Sequence, residues 1–250
     1  MKSDNVFGDG GIMKNLGIND PVQAEEILHM GYSFMKLMSY YNCAMMEVET
    51  KFNVLNEEFS LMWDREPIAT VKTRLKNPIS IRNKLVLKGY SFSSENIETY
   101  VNDIAGVRVV CSFLEDVYTV AEAFKKQDDI TVLEEKDYIR FPKPNGYRSL
   151  HLIVSVPIFL QHEKRQMKVE IQIRTLAMDF WASLEHQLKY KKFDSEDIAM
   201  MTDLKYCADL SAELDAHMDD LRERVYSSAV DEEDVLRKNL AGMPVLKTEK

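Results

Sequence analysis

Two acidic residues stand beside strand-forming sequence. Asp103 directly precedes the apolar, β-branched run from Ile104 to Phe113, and Glu170 lies inside the alternating segment Val169, Ile171, Ile173. Side chains alternate with period two along a strand, so Glu170, Gln172 and Arg174 share one face there. If Asp103 and Glu170 converge, they offer hard oxygen ligands to Mg2+, an ion that takes one or two carboxylates and completes its shell with water and substrate phosphates. Cations are dense around them in sequence: Lys72, Arg74, Lys76, Arg82, Lys84 and Lys88, then Arg108, Lys143, Arg148 and Arg174. Carboxylate oxygens among phosphate-binding cations suit metal-assisted phosphoryl transfer, which needs alignment and charge stabilisation more than covalent chemistry. Arg74 and Arg108 have the planar guanidinium that stacks on a purine, and Tyr147 follows a Pro-Asn-Gly turn, where an aromatic ring could stack on a second base. Each feature also has a plainer reading. Asp103 could cap or salt-bridge, Glu170 could sit on a solvated face, the 72–88 run could be one helix face in water, and Tyr147 could pack a loop.

The elements that must position these residues follow from periodicity and punctuation. Asp20-Pro21 looks like a helix start, and apolar residues recurring from Ile27 to Met62 predict one long helix or two ending before Pro67. Pro78 opens a second helix through Lys88, stopped by Gly89. Strands are expected at 104–113, 130–135, 150–156 and 168–173, with a helix at about 115–126 between the first two. Lys143-Pro144-Asn145-Gly146 is a loop. Thr175 suits the cap of a helix reaching about Lys192, a last helix spans about 194–226, and the acidic tail from Ser227 is expected to be mobile. The fold class is therefore α/β (α+β): a mixed sheet of about five strands flanked by helices, with long N- and C-terminal helices. The division expected is a disordered 1–19, a helical extension 20–66, a core 67–192, a helix 193–226 and a tail 227–250.

Of 250 residues, 45% are apolar and 29% charged, enough for a real core. Lys and Arg total 32 against 41 Asp and Glu, a net charge of -9, which argues against general nucleic-acid binding by charge. The distribution is uneven. Residues 1–66 hold 5 basic and 11 acidic side chains, 67–192 hold 20 and 15, and 193–250 hold 7 and 15, so a basic centre sits between acidic flanks. Cys43, Cys111 and Cys207 form no C-x-x-C pair and read as reduced packing residues. No G-x-x-x-x-G-K-[ST], H-E-x-x-H or His-Asp pair occurs, which disfavours a P-loop enzyme, a zinc protease and a His-Asp phosphohydrolase. No long apolar run or signal core is seen, so a cytoplasmic protein without a membrane span is expected.

Five ordered motifs, R-L-K at 74–76, D-I-A-G-V-R at 103–108, K-P-N-G-Y-R-S-L-H at 143–151, V-E-I-Q-I-R-T at 169–175 and A-M-D-F-W-A-S-L-E-H at 177–186, resemble the small alarmone synthetases of the RelA/SpoT homologue superfamily, RelQ-type members most. The resemblance spans about residues 67–192. It implies a nucleotidyltransferase-like synthetase fold that transfers pyrophosphate from ATP to the 3'-hydroxyl of GDP or GTP, releasing AMP and giving ppGpp or pppGpp. Carried over, it makes Asp103 and Glu170 the Mg2+ pair, with Glu170 also orienting or deprotonating the attacking hydroxyl. Arg74, Lys76, Lys84, Lys88 and Arg108 fall to ATP. Lys143, Asn145, Tyr147, Arg148, His151 and Gln172 fall to the guanosine nucleotide. It also implies a homotetramer, with (p)ppGpp or single-stranded RNA as candidate allosteric ligands, and synthesis without hydrolysis. Thr70 to Thr73 and Asp179 depart from the pattern associated with activation by product, and Val86-Leu87 stand where members often carry a second cation. Rival readings are a pyrophosphokinase acting on adenine nucleotides or tRNA 3' ends, a non-catalytic nucleotide or RNA sensor, and an interaction protein built on acidic helices.

Overall fold

The computed structural model describes residues 21–63, 65–190 and 198–241. Five strands, β1 (Ile68–Leu75), β2 (Ala105–Cys111), β3 (Thr131–Asp137), β4 (Leu150–Phe159) and β5 (Lys164–Thr175), form one sheet in the order β1-β2-β5-β4-β3. Only β2 and β5 run parallel; the other neighbours are antiparallel. The two central strands carry Val107, Val109, Val169, Ile171 and Ile173, all buried, on one face. Leu152 and Val154 of β4 extend that apolar face.

Helix α1 (Pro21–Trp63) covers it, touching β1, β2, β4 and β5. Its buried residues Leu37, Tyr41, Met45, Val48, Phe52, Leu55 and Phe59 recur every three or four positions, the spacing of one helical face. Each such side chain removed from water contributes about 1.5–3 kcal/mol, which outweighs the weak intrinsic propensity of a segment with so many aromatic residues. Helix α4 (Leu114–Lys125) lies beside it, and Phe52 stacks on Phe124 with ring centroids 4.5 Å apart.

Two short helices join β1 to β2. In α2 (Pro78–Leu87) the Asn77 side chain accepts a hydrogen bond from the Ser80 amide at 2.8 Å, Pro78 fills the first turn, and Gly89 follows at φ +80°. In α3 (Ser94–Tyr100) the Ser93 hydroxyl accepts from the Asn96 amide. After β5 the chain enters α5 (Leu176–Tyr190). Thr175 Oγ1 accepts from the Met178 amide at 3.1 Å and donates to Asp215 at 2.6 Å, so the cap of α5 also tethers α6 (Ile198–Ala241). No helix among the described residues is long and apolar enough to cross a membrane.

Several boundaries differ from expectation. The stretch 21–63 is one helix, and β1 and α3 were not foreseen. The cations at 72–88 do not share one helix face: Lys72 and Arg74 sit on β1, Lys76 just after it, and Arg82 and Lys84 on α2. The last helix does not stop near Tyr226 but continues to Ala241, because 227–241 is rich in Ala, Glu, Leu, Arg and Lys and contains neither Gly nor Pro. The expected N-terminal disorder at 1–19 and the final residues 242–250 lie outside the described residues.

The 143–147 loop is docked on α6. Gly146 has φ +88°, and a Cβ there would lie 2.5 Å from the Ala208 Cβ. Gly146→Ala therefore meets both a backbone penalty and a collision, and should lower stability by about 1–3 kcal/mol or more in urea melts.

Candidate active site

Alternation leaves the second face of the sheet polar, and register lines its residues up. Lys72 of β1 pairs with Arg108 of β2, Arg108 with Gln172 of β5, Gln172 with His151 of β4, and His151 with Lys136 of β3. One step along the strands Arg74, Gly106, Glu170 and Ile153 form the adjacent row. Gly106 contributes no side chain, which leaves space between Arg74 and Glu170.

Asp103 stands just before β2, close enough to Glu170 for their charges to interact. Its Oδ2 receives Lys76 Nζ at 2.9 Å and Lys84 Nζ at 2.8 Å. Its Oδ1 is buried and has no hydrogen-bond partner among the described residues. Burial alone would raise the Asp103 pKa, but the hydrogen bonds and charges of Lys84 and Lys76 outweigh it and hold the carboxyl below its usual range. Glu170 moves the other way. Burial and the Asp103 charge raise it, against opposing contributions from Gln172, Lys84 and Lys76. The result is one carboxylate kept ionised and a neighbour displaced toward holding a proton, the arrangement that gives two acids different tasks.

The unpartnered Oδ1 and the adjacent carboxyl of Glu170 make a hard-oxygen donor set that fits a divalent ion such as Mg2+. No cluster of three or more potential ligands occurs among the described residues, so such an ion would rely on phosphate and water for the rest of its shell.

Asp103 and Glu170 form a wall shared by two cavities. The first, about 620 Å³, is lined by Arg74, Lys76, Arg108 and Gln172 together with Lys72, Ser80 and His186. The second, about 370 Å³, is lined by Lys84, Lys88, Lys143 and His151 together with Lys136 and Tyr138. Lys84 and Lys88, grouped with Arg74 in the sequence, thus face the other cavity, and Gln172 faces the first. Lys88 Nζ also donates to the Tyr100 carbonyl at 2.7 Å.

Three expected residues line neither cavity. Arg148 donates to the Ala208 carbonyl at 3.0 Å and to Asp209 at 3.2 Å, anchoring its loop to α6. Asn145 donates to Glu185 at 3.0 Å and accepts from the Tyr147 amide at 3.2 Å. The Tyr147 ring is enclosed: Lys143 Nζ lies 4.7 Å from its centroid, and Tyr138, His151 and Trp181 pack around it. Tyr138, missed in the sequence, presents an aromatic ring to the second cavity, with Lys143 Nζ 4.5 Å from its centroid. Its only signal was an aromatic just after a strand. Asp179, noted only as a departure from a pattern, accepts from Arg108 at 3.1 Å and from Arg174 at 3.3 Å.

Comparison with known proteins bears on what this groove does. Residues 73–195 match the family model described as a region found in RelA / SpoT proteins. Over 185 residues the chain is 42% identical to the GTP pyrophosphokinase YwaC of Bacillus subtilis strain 168, an alignment covering 74% of this chain and 88% of that one. It is similar to the crystal structure of small alarmone synthetase 1 from B. subtilis bound to its product pppGpp, with a TM-score of 0.70 at 34% identity over 77% of this chain and 97% of that one. For the same synthetase bound to AMPCPP the TM-score is 0.65 at 32% identity, covering 78% and 98%.

Burial, followed by the charges of Arg174, Lys143 and Lys136, lowers the His151 pKa to about 3. An NMR titration should find its imidazole neutral at pH 5. The unfolded chain binds that proton near pH 6.5 and the folded one does not, so this residue makes stability fall as pH drops from 6.5 toward 3. A His151 midpoint near 6.5 in the folded protein would contradict the geometry.

Proposed function

The chain belongs to the RelA/SpoT family and is a GTP pyrophosphokinase of the small alarmone synthetase kind, and on that premise we propose how its two cavities divide the work. ATP occupies the first, where Arg74 and Arg108 flank the adenine and Lys76 meets phosphate. GDP or GTP occupies the second, with Lys143 and His151 beside it and Lys88 turned toward its phosphates. The observation that carries this reading is the carboxylate pair in the wall between the cavities, where a donor phosphate and an acceptor hydroxyl would meet.

In the reaction the acceptor's 3'-oxygen forms a bond to the β-phosphorus of ATP while the bond from that phosphorus to the α,β-bridging oxygen breaks. AMP leaves with the bridging oxygen, and the guanosine nucleotide gains the pyrophosphoryl group. Glu170 accepts the hydroxyl proton or orients it; its buried setting makes it a better base than an exposed carboxylate. Lys76 and Lys84, already converged on Asp103, place positive charge where phosphate charge builds. Asp103 and Glu170 would hold Mg2+, which supplies charge neutralisation to the phosphates when bound. The ring of Tyr138 at the second cavity, with Tyr147 behind it, supports a purine acceptor, and the pppGpp bound to the similar synthetase supports guanine.

A cytoplasmic setting is supported by the nucleotide substrates. A homotetramer is supported by the apolar residues that α1 leaves exposed, among them Ile27, Leu28, Met30 and Met35.

Purified protein given Mg2+, γ-labelled ATP and separately GDP, GTP, ADP or tRNA should place label on the guanosine nucleotides and release AMP. Label on ADP or tRNA alone would replace the acceptor assignment. Glu170→Gln and Asp103→Asn should each cut kcat by about 10²-fold or more with the thermal midpoint little changed. With Mn2+ and ppGpp alone, the nucleotide should stay intact, in keeping with the lack of a His-Asp pair in the sequence.

A further inference from the structure

Arg174, at the end of β5, is 3% exposed and lines neither cavity, yet its fork touches Gln172, which lines the first, and Tyr147, whose hydroxyl meets His151 of the second. Nε donates to Ser149 Oγ at 3.3 Å and Nη1 to Asp179 Oδ1 at 3.3 Å. Nη2 donates to Gln172 Oε1 and to the Tyr147 hydroxyl, both at 2.6 Å. Toward the first cavity, Asp179 Oδ1 also holds Arg108, and Gln172 donates to Glu170 Oε2 at 3.2 Å. Toward the second, the Tyr147 oxygen lies 2.7 Å from His151 Nε2.

The proton positions follow from donor and acceptor chemistry. A guanidinium only donates, so the Tyr147 oxygen accepts from Arg174 and its own proton is directed to His151 Nε2. The neutral imidazole then carries its proton on Nδ1, which faces Glu170 Oε1 at 3.8 Å. Glu170, Gln172, Arg174, Tyr147 and His151 thereby form a chain of hydrogen bonds that starts at the carboxylate and ends at an imidazole facing it. Burying a guanidinium in such a place is expensive compared with an apolar residue of similar volume. The Asp179 carboxylate and the Ser149, Gln172 and Tyr147 oxygens offset that cost only while the fork keeps one orientation.

We propose that Arg174 is a positioning residue that couples the donor and acceptor cavities, so that a nucleotide bound in one orders the wall that receives the other. The inference rests on the assignment of ATP to the first cavity and the guanosine nucleotide to the second. The energetic route is ordering. A nucleotide that engages Arg108 and Gln172 fixes the fork, the fork fixes Tyr147 and His151, and the second nucleotide meets a surface already ordered. Linkage makes the effect reciprocal.

The test is calorimetric titration of AMPCPP, whose α,β-methylene bridge blocks transfer, with and without saturating GDP. In the wild-type chain each nucleotide should tighten the other by roughly five-fold or more. Tyr147→Phe keeps the ring and deletes the hydroxyl between Arg174 and His151; coupling should drop to within about two-fold of unity while the thermal midpoint stays close to wild type. Arg174→Lys keeps the charge but loses the fork, and should do the same. Where the lysine variant does not fold, the phenylalanine variant carries the test. Absence of coupling in the wild type, or undiminished coupling in Tyr147→Phe, overturns the proposal. The underlying cavity assignment fails by a separate sign: AMPCPP affinity unaltered by Arg74→Ala.

Discussion

Two carboxyl groups held close together in a partly buried place cannot both ionise cheaply, and the groove is organised around that repulsion. Lys76 and Lys84 both contact one oxygen of Asp103, and this concentration of cation on one partner separates the pair: Asp103 goes down, Glu170 goes up. Had the two lysines been shared evenly, the two acids would be closer to alike, and neither would be distinguished as base or charge holder. The lysines reach Asp103 from different elements, the turn after β1 and helix α2, so the asymmetry depends on how the edge of the sheet is capped. Asn77 and Gly89, which start and stop α2, are therefore part of the electrostatics although neither lines a cavity.

The same strand alternation that makes the core makes the groove. Along β5, Val169, Ile171 and Ile173 go inward beneath α1 and α4, which forces Glu170 and Gln172 to the other side. Burial of the apolar set is worth far more than the cost of crowding the polar set, so the fold can hold a strained charge arrangement without relaxing it. A one-residue slip of β5 would turn Glu170 into the core, and this is why the hydrophobic pattern specifies the site as firmly as it specifies the fold.

What could be read from sequence was what is local and periodic. The face shared by Glu170, Gln172 and Arg174, the strand expected at 104–113 and found at 105–111, and the helix opened by Pro78 all follow from spacing and punctuation. β1 escaped because an edge strand with one face in the groove carries Lys72 and Arg74 where a half-buried strand would show alternation against a quiet polar side; Ile68 is its one buried residue, with Val71 and Leu75 half-buried against the core. α3 is seven residues long, too short for periodicity, though Ser93 with Asn96 three positions on was a capping signal. Direction in loops was the harder limit. Arg148 and Asn145 point to α6 and α5 because those helices, 40 to 61 residues later in the chain, supply a carbonyl and carboxylates. No local pattern around residue 145 encodes that.

The meeting of Asp103 with Glu170 is also a consequence of the one parallel pairing in the sheet. Parallel register sets Ala105 against Val169 and Gly106 against Glu170, so a residue two positions before β2 begins lies at the same end of the sheet as the middle of β5. An antiparallel pairing through the same Gly106–Glu170 contact would reverse the run of β2 and set Asp103 toward Ile173 rather than toward Met167. The parallel pairing in turn requires a crossover, which α4 with β3 and β4 provides, and β3 and β4 bring Lys136, Tyr138 and His151 to the second cavity. The connection that makes the carboxylates neighbours is thus the same one that builds the acceptor side of the groove, so neither half of the site could have formed from this chain without the other.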